Sequence, residues 1–365
     1  MMKILHIHPA LKGGGIESMI CSLANEMSKT EDVTICSIFA PQNEDVFWQK
    51  ISPNVKKIHL GKTKEGFSVK EIFHIYKTIK SGGYDIVHIH GFFYYYFLSV
   101  LLLCKNVVFF YTIHSDAKME NVAWDRKFFP LKKYCFQRGL VHPITISNVS
   151  KESFNGLYHC ESDLIYNGVP KPVIACNVDL IKDYRISCRT KVFIHAGRID
   201  TPKNQIVLCR VFNRLIKNGY DILLLIAGSI QREDIFKSME SFFSDRIKYL
   251  GERNDIPQLM ACCDAMCLPS IWEGLPVTLL EALSVGCIPI CSNVGGIPDV
   301  VINGYNGFLS SSASEDDYYL VMKQFLDLTD DDIEQTKINC KLSFGEYDIA
   351  HTSSTYIETY KKYLH

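Results

Sequence analysis

The sequence is short of several things, and each absence narrows what the chain can be. Neither charge is in excess: 39 Lys+Arg against 40 Asp+Glu leave a formal net charge of −1 at pH 7, without the basic surplus of a nucleic-acid binder. No stretch reaches the roughly 20 apolar residues that a membrane-spanning helix requires. The nearest, "FFYYYFLSVLLLC" at 92–104, is cut off by Lys105 and Asn106 and reads as a buried helix following a strand. There are 14 cysteines but no Cys-x-x-Cys pair. Cys262, Cys263, Cys267, Cys287 and Cys291 lie in apolar runs, where a free thiol behaves as a small hydrophobe. The opening "MMKILHIHPA" is interrupted by histidines and lacks the apolar length of a secretory leader. The expected compartment is therefore the reducing cytoplasm. No Gly-x-Ser-x-Gly elbow or serine or cysteine triad spacing offers a nucleophile, and no carboxylate or His/Cys cluster reads as a metal site.

What is present is an alternation of short β-type runs with helical patterns. "KILHIHPA" (3–10), "DVTICSIFA" (32–40), "YDIVHIHG" (84–91), "VVFFYTIHS" (107–115) and "HPITISN" (142–148) read as strands. After a proline-containing linker at 166–174 the pattern restarts with "KVFIHAGRI" (191–199), "ILLLIAGS" (222–229) and three shorter runs. Near-continuous apolar strands between helices indicate a parallel sheet covered on both faces. The fold class is α/β, with two Rossmann-like doubly wound domains expected to face across a cleft. Residues 1–169 carry 19 basic against 15 acidic residues (+4) and the remainder 20 against 25 (−5). The expected domains are 1–169 and 170–345, with an amphipathic closing helix at about 346–365. Asp330, Asp331 and Asp332 follow Thr329 at a helix start and read as solvated surface.

In such sheets ligands bind beyond the carboxyl ends of strands, and the candidates all fall there. "SIWEGLPVTLLEALSVGCIPI" (270–290) holds Glu273 and Glu281 with seven residues between them. Pro276 suits the first helical position. The N–H groups of Gly274, Leu275, Val277 and Thr278 lack intrahelical partners and suit an anion or sugar hydroxyls. One ligand with a sugar at each end and phosphates between would use both acids; a capping Glu and an ordinary helix Glu account for the spacing equally well. In "HAGRIDTPKNQ" (195–205), Arg198 and Lys203 offer a fork and a point charge for phosphate oxygens, or are two surface cations near a helix start. Gly13-Gly14-Gly15 forms an imperfect dinucleotide turn, GxGxxS, that allows close backbone approach. Among the histidines, His114 at a strand's carboxyl end is the candidate; His6, His8 and His90 read as core.

Together, "GGGIES" (13–18), "TIHS" (112–115), "ITISNVSKE" (144–152), "YNGV" (166–169), "GRIDTPKN" (197–204), "LPSIWEGLPVTLLEALSVGCIPI" (268–290), "GGIPDVV" (295–301) and "NGYNGFL" (303–309) resemble the retaining, GT-B-fold glycosyltransferases of family 4. The resemblance implies that Arg198 and Lys203 clamp a donor diphosphate. Glu273 would hold the transferred sugar with the backbone of Gly274–Thr278 (Leu275, Pro276 and Val277 between), and Glu281 the ribose. Gly14 and Gly15 would lie against phosphates or acceptor, His114 near the reacting carbon, and Arg253 in "YLGERND" near the base. It further implies a nucleotide-sugar co-substrate, no metal or other cofactor, and a last helix crossing back to the first domain. A glycan or lipid-linked glycan is the expected acceptor. The aromatic run 92–97 and the pair Lys132-Lys133 then favour peripheral contact with the inner face of a membrane. The rival readings are an epimerase of the same architecture, a non-catalytic nucleotide-sugar binder, and a dinucleotide oxidoreductase.

Overall fold

The computed structural model of the chain describes residues 1–42, 45–64, 66–91, 96–119, 125–174 and 180–364. It divides into two compact units, Met1–Pro170 with Tyr347–His365, and Lys171–Glu346.

The first unit runs β1 (Lys3–His8), α1 (Gly15–Met27), β2 (Asp32–Phe39), α2 (Val46–Gln49), β3 (Lys56–Lys62) and α3 (Val69–Gly82). It continues with β4 (Ile86–His90), α4 (Leu98–Leu103), β5 (Val108–Ile113), α5 (Asp125–Gln137), β6 (His142–Thr145), α6 (Asn148–Tyr158) and β7 (Asp163–Leu164). The strands form one seven-stranded sheet in the order β3-β2-β1-β4-β5-β6-β7, parallel throughout. β4 is buried along its whole length, because helices cover both faces of such a sheet and leave neither side open to solvent. β3 is different: an edge strand reading KKIHLGK, with four of its seven residues exposed, among them two lysines, as edges commonly are.

The second unit contains β8 (Lys191–Ala196), a 3-10 turn (Thr201–Lys203), α7 (Gln205–Lys217), β9 (Ile222–Ala227), α8 (Glu233–Glu240) and β10 (Ile247–Tyr249). Then come α9 (Ile256–Ala261), β11 (Ala265–Leu268), α10 (Val277–Val285), β12 (Ile288–Ser292), α11 (Ile297–Val300), β13 (Phe308–Ser310), α12 (Glu315–Leu326) and α13 (Asp330–Ser343). Its six parallel strands run in the order β10-β9-β8-β11-β12-β13. Asp330–Asp332 open α13 in a capping box, where the Thr329 side chain and Asp332 satisfy each other's backbone N–H.

The last helix, α14 (Ile349–Tyr363), belongs to the first unit and packs on α1. Its buried Tyr356 and Tyr360 lie over the sheet. The Tyr360 hydroxyl bonds His88 Nδ1 at 2.6 Å, and Tyr363 donates to Asp163 at 2.9 Å.

Two surface expectations fail. Lys132 is 2% exposed, and Tyr96 and Phe97 are likewise buried, at 0% and 1%. The Lys132 ammonium lies over the Tyr111 ring at 4.7 Å and the Tyr158 ring at 5.9 Å, so aromatic faces supplied by β5 and α6 hold the cation inside. Residues 92–95 of the aromatic run lie outside the described residues. No described helix is long and apolar enough to cross a membrane.

Candidate active site

In each sheet the strand order reverses beside one strand, β1 in the first unit and β8 in the second. A crevice opens beyond the carboxyl ends at such a switch point. In the second unit the two loops that frame it follow β8 and β11, and they carry Lys203 and Glu273.

The loop after β8 turns through Asp200, whose carboxylate caps the Thr201 N–H at 2.8 Å. Asn204 stands between the 3-10 turn and α7 with φ 56, a left-handed conformation that asparagine tolerates better than most residues. Its side-chain amide donates to Pro269 O at 3.1 Å and Ala313 O at 2.9 Å. Ile271 N donates to Pro202 O at 2.8 Å. The two loops are thus tied by one backbone bond and by the Asn204 side chain.

Across that tie the Lys203 ammonium meets Glu273 Oε1 at 2.6 Å, with side chains 19% and 10% exposed. Ser270 Oγ donates to the same oxygen at 2.6 Å. The sequence reading gave the two charges separate ligand groups; the fold brings them into direct contact, so that any anion or sugar arriving here meets a paired site.

Beneath the loops a neutral polar network sets the backbone. His195 Nδ1 donates to Cys267 O at 2.9 Å, and burial lowers the His195 pKa to about 4. With Nδ1 protonated and the ring neutral, Nε2 accepts from Gln205 Nε2 at 3.2 Å, and the same amide donates to Arg198 O at 2.7 Å. The Arg198 carbonyl is fixed from below, while its side chain is exposed. Gly228 makes this approach possible: a Cβ there would fall 2.0 Å from Gly197 O.

Pro276 is the N-cap of α10, with ψ 124, and the helix begins at Val277, one residue later than the sequence suggests. The extended ψ keeps proline just outside the first turn. Leu275 and Val277 are buried, whereas Gly274 and Thr278 are half-buried. Gly296 N donates to Gly274 O at 2.7 Å and fixes that peptide. Glu281, one turn into α10, is half-buried. Arg253 stands apart from this group. It follows edge strand β10, two strands from β8, and its fork is engaged bidentately by Asp255 at 2.9 and 2.7 Å.

In the first unit, Gly14 is the N-cap of α1 and Gly15 its first residue. A Cβ on Gly14 would lie 2.6 Å from Glu17 Oε2, so a carboxylate already lies over this helix start. His114, past the end of β5, is 7% exposed. Burial takes its pKa down to about 3. Its Nε2 bonds His90 Nδ1 at 3.2 Å, and His90 Nε2 bonds His6 Nδ1 at 3.0 Å. His88 stacks on His90 at 4.1 Å and bonds Thr112 at 2.7 Å besides Tyr360. His6, His88 and His90 bring ligating nitrogens within 4.8 Å of one another. Both nitrogens of His88 and of His90 are already hydrogen-bonded, so the trio reads as a hydrogen-bonded core row. Among the described residues, His6 Nε2 has no hydrogen-bond partner.

Sequence reasoning found Lys203 and Glu273 but missed Ser270, Asn204, Gln205 and His195. Only the position of Ser270, three residues before the acid, hints at its bond.

Residues 13–171 match the family model described as Glycosyltransferase Family 4, and residues 179–339 the model described as Glycosyl transferases group 1. An Escherichia coli UDP-Gal:alpha-D-GlcNAc-diphosphoundecaprenol alpha-1,3-galactosyltransferase is 27% identical over 271 residues, 66% of each chain. The Staphylococcus aureus capsular polysaccharide biosynthesis glycosyltransferase CapH is 25% identical over 305 residues, covering 80% of this chain and 82% of its own. Anabaena Alr3699/HepE, solved with UDP and glucose, superposes with a TM-score of 0.80 over 99% of this chain and 100% of its own, at 18% identity.

Proposed function

Since the chain belongs to the GT-B-fold glycosyltransferases of group 1, we propose that it moves a sugar from a nucleoside-diphosphate donor to a hydroxyl of a lipid-linked glycan, retaining the anomeric configuration, at the inner face of a membrane. The relatives named above support the acceptor class and the role in polysaccharide assembly. The observation that carries the reading is the meeting of Lys203 and Glu273, at 2.6 Å, in the two loops that frame the switch point of the second sheet.

In this reading the bond from the anomeric carbon to the diphosphate breaks as the acceptor oxygen bonds to the same face. The acceptor proton passes to a leaving-group phosphate oxygen, so no protein carboxylate acts as nucleophile. Lys203 and Arg198 meet the charge that develops on the diphosphate, as fixed cations in a sheltered site can. The first turn of α10 adds backbone donors, and no divalent ion is required. Glu273, held by Lys203 and Ser270 through Oε1, offers Oε2 to sugar hydroxyls, and Glu281 accepts from the ribose. His114, kept neutral by burial, shares hydrogen bonds with the sugar near the reacting carbon. Glu17 over Gly14 makes the start of α1 better suited to acceptor hydroxyls than to another phosphate.

The test is transfer from UDP-, GDP- and ADP-sugars in the presence of a chelator, with calorimetric titration of the matching diphosphates. One diphosphate should bind selectively, and Lys203→Ala should lower both its binding and the transfer rate, the latter by about 10²–10³-fold. Full activity in that variant, or binding of NAD alone, would overturn the reading.

A further inference from the structure

Three histidines from neighbouring strands of the first sheet form one line of hydrogen bonds that ends at His114. His6 of β1 lies opposite His88 of β4, and His90 of β4 lies opposite Thr112 of β5. Side chains two apart on a strand share a face. His90 therefore follows His88, and His114 follows Thr112, on the side that His6 occupies. The line climbs two residues at each strand towards the carboxyl ends. His6, His90 and His114 are 0%, 1% and 7% exposed. His6 Nδ1 meets His90 Nε2 at 3.0 Å, and His90 Nδ1 meets His114 Nε2 at 3.2 Å.

A row of this kind has a direction. Burial holds all three rings well below the ordinary value of 6.5, so at neutral pH each carries one N–H and one lone pair. His90 spends both nitrogens inside the row, so it donates one bond and accepts the other. The two bonds must then run the same way, and two arrangements exist. Either every ring is protonated on Nε2 and the row donates from His114 inward, or every ring is protonated on Nδ1 and it donates from His6 outward. The buried end decides between them. His6 Nε2 has no hydrogen-bond partner among the described residues. The first arrangement would leave an N–H there, the second only a lone pair, and buried N–H groups without acceptors are the rarer of the two. His88 imposes no direction, because its partners Tyr360 and Thr112 are hydroxyls that can give or take.

We infer that His90, with its direction set by His6, is a positioning residue that holds His114 as the Nδ1–H tautomer. His114 then meets its ligand through Nδ1 as a hydrogen-bond donor and takes a lone-pair oxygen of the sugar. The Nε2 lone pair is engaged by His90, so His114 offers no basic nitrogen to the acceptor proton. That proton has to leave by another route, and transfer to the leaving phosphate supplies one. The tautomer is read from the fold; only the identity of the ligand as a sugar rests on the proposed function.

The experiment is a two-bond ¹H–¹⁵N correlation spectrum of the full chain labelled with ¹⁵N-histidine, at pH 7.5. Cross-peaks are assigned by their loss in His6→Asn, His90→Asn and His114→Asn. All three rings should carry the proton on Nδ1, the opposite of the form that imidazole favours in water. His90→Leu removes the donor to His114 Nε2. Its His114 should lose the single tautomer, and kcat for diphosphate release from UDP-glucose, GDP-mannose or ADP-glucose should fall about tenfold or more, the worth of one hydrogen bond. Affinity for the matching diphosphate should stay as in the wild type. His90→Asn, whose amide can place an N–H where Nδ1 stood, should recover most of that loss. A merely structural His90 would change the melting temperature in both variants and leave the tautomer and kcat alone. Nε2–H on His114 in the wild type overturns the proposal, and if His90→Leu does not fold this spectrum still decides. Wild-type kcat in His90→Leu, or no recovery in His90→Asn, also overturns it. Nδ1–H on His114 in a protein that uses none of the three donors would leave the row standing and remove the transferase reading instead.

Discussion

Gly295 stands against Glu273 so closely that a Cβ on it would lie 2.0 Å from the Glu273 carbonyl oxygen. Its φ is +56, so a side chain there is opposed by both backbone conformation and space. The "GGIPD" turn thereby supports the peptide that carries the candidate sugar-binding acid.

That relationship predicts a graded pair of substitutions in one unit. Gly304 has φ +77 with nothing within 4 Å of its added Cβ, so Gly304→Ala should cost about 1 kcal/mol from backbone strain alone. Gly295→Ala adds a collision with backbone and should cost about 3 kcal/mol or more. It should also lower transfer activity by displacing Glu273. Urea unfolding with equal m-values, alongside initial rates, separates the two; equal costs would show that the contact is relieved cheaply.

Glu273→Gln keeps the shape of the side chain and an acceptor oxygen for Ser270, but removes the charge opposite Lys203. We expect transfer to fall about 10²-fold or more with diphosphate affinity retained or raised, because Lys203 would no longer be shared with a carboxylate. A wild-type rate would show that Glu273 serves only to hold the lysine.

Acid should destabilise the first unit before the second. Burial takes His6 and His114 down to about 3 and holds His88 and His90 well below the ordinary value of 6.5. The unfolded chain binds protons at these positions that the native fold refuses. The stability is therefore fully present above about pH 6.5 and is lost as pH falls toward 3, by at most about 1.4 kcal/mol per pH unit for each histidine. The second unit has His195 at about 4 as its corresponding group. Calorimetry from pH 7.5 to 5, with proteolysis and mass spectrometry identifying what opens, should find residues 1–170 and 347–365 opening first. Opening of 171–346 first would contradict this.

Tyr360→Phe deletes one oxygen and leaves His88 Nδ1 buried without its partner at 2.6 Å. An unmet buried polar group costs about 1–3 kcal/mol. Denaturant unfolding should register that loss, whereas Ser354→Ala, at an exposed position of the same helix, should register almost none.

How much was legible follows from where each residue finds its partners. β9 could be read because burial on both faces makes it an uninterrupted apolar run, and β4 and β8 because histidines alone break their buried apolar runs. β3 was missed because an edge strand alternates its exposed positions and places lysines there, and β13 because three residues carry no pattern. Lys203 and Glu273 were visible as charged residues at strand ends. The supports around them were not: Asn204 matters through Pro269 and Ala313, which lie 65 and 109 residues away. The same holds for the histidine row. Alternation puts His6 and His8 on one side of β1, yet His6 finds His90 across 84 residues through a sheet register that the sequence does not state. Lys132 misled because two adjacent lysines suggest water, while its partners are ring faces from other elements.

The bond between His88 and Tyr360 spans 272 residues, and the helix that supplies Tyr360 is made after the whole of 171–346. A ribosome therefore delivers the first sheet long before its cover. Phe110, whose ring meets Tyr360 at 4.8 Å, must wait with one side open while an entire second unit is synthesised and can fold within its own contacts. The first unit to begin is the last to be completed, and the interval is a window in which its uncovered apolar strands invite wrong partners. Moving α14, with its Asp348 cap, ahead of β1 in a permuted gene would close that window and should raise the soluble yield.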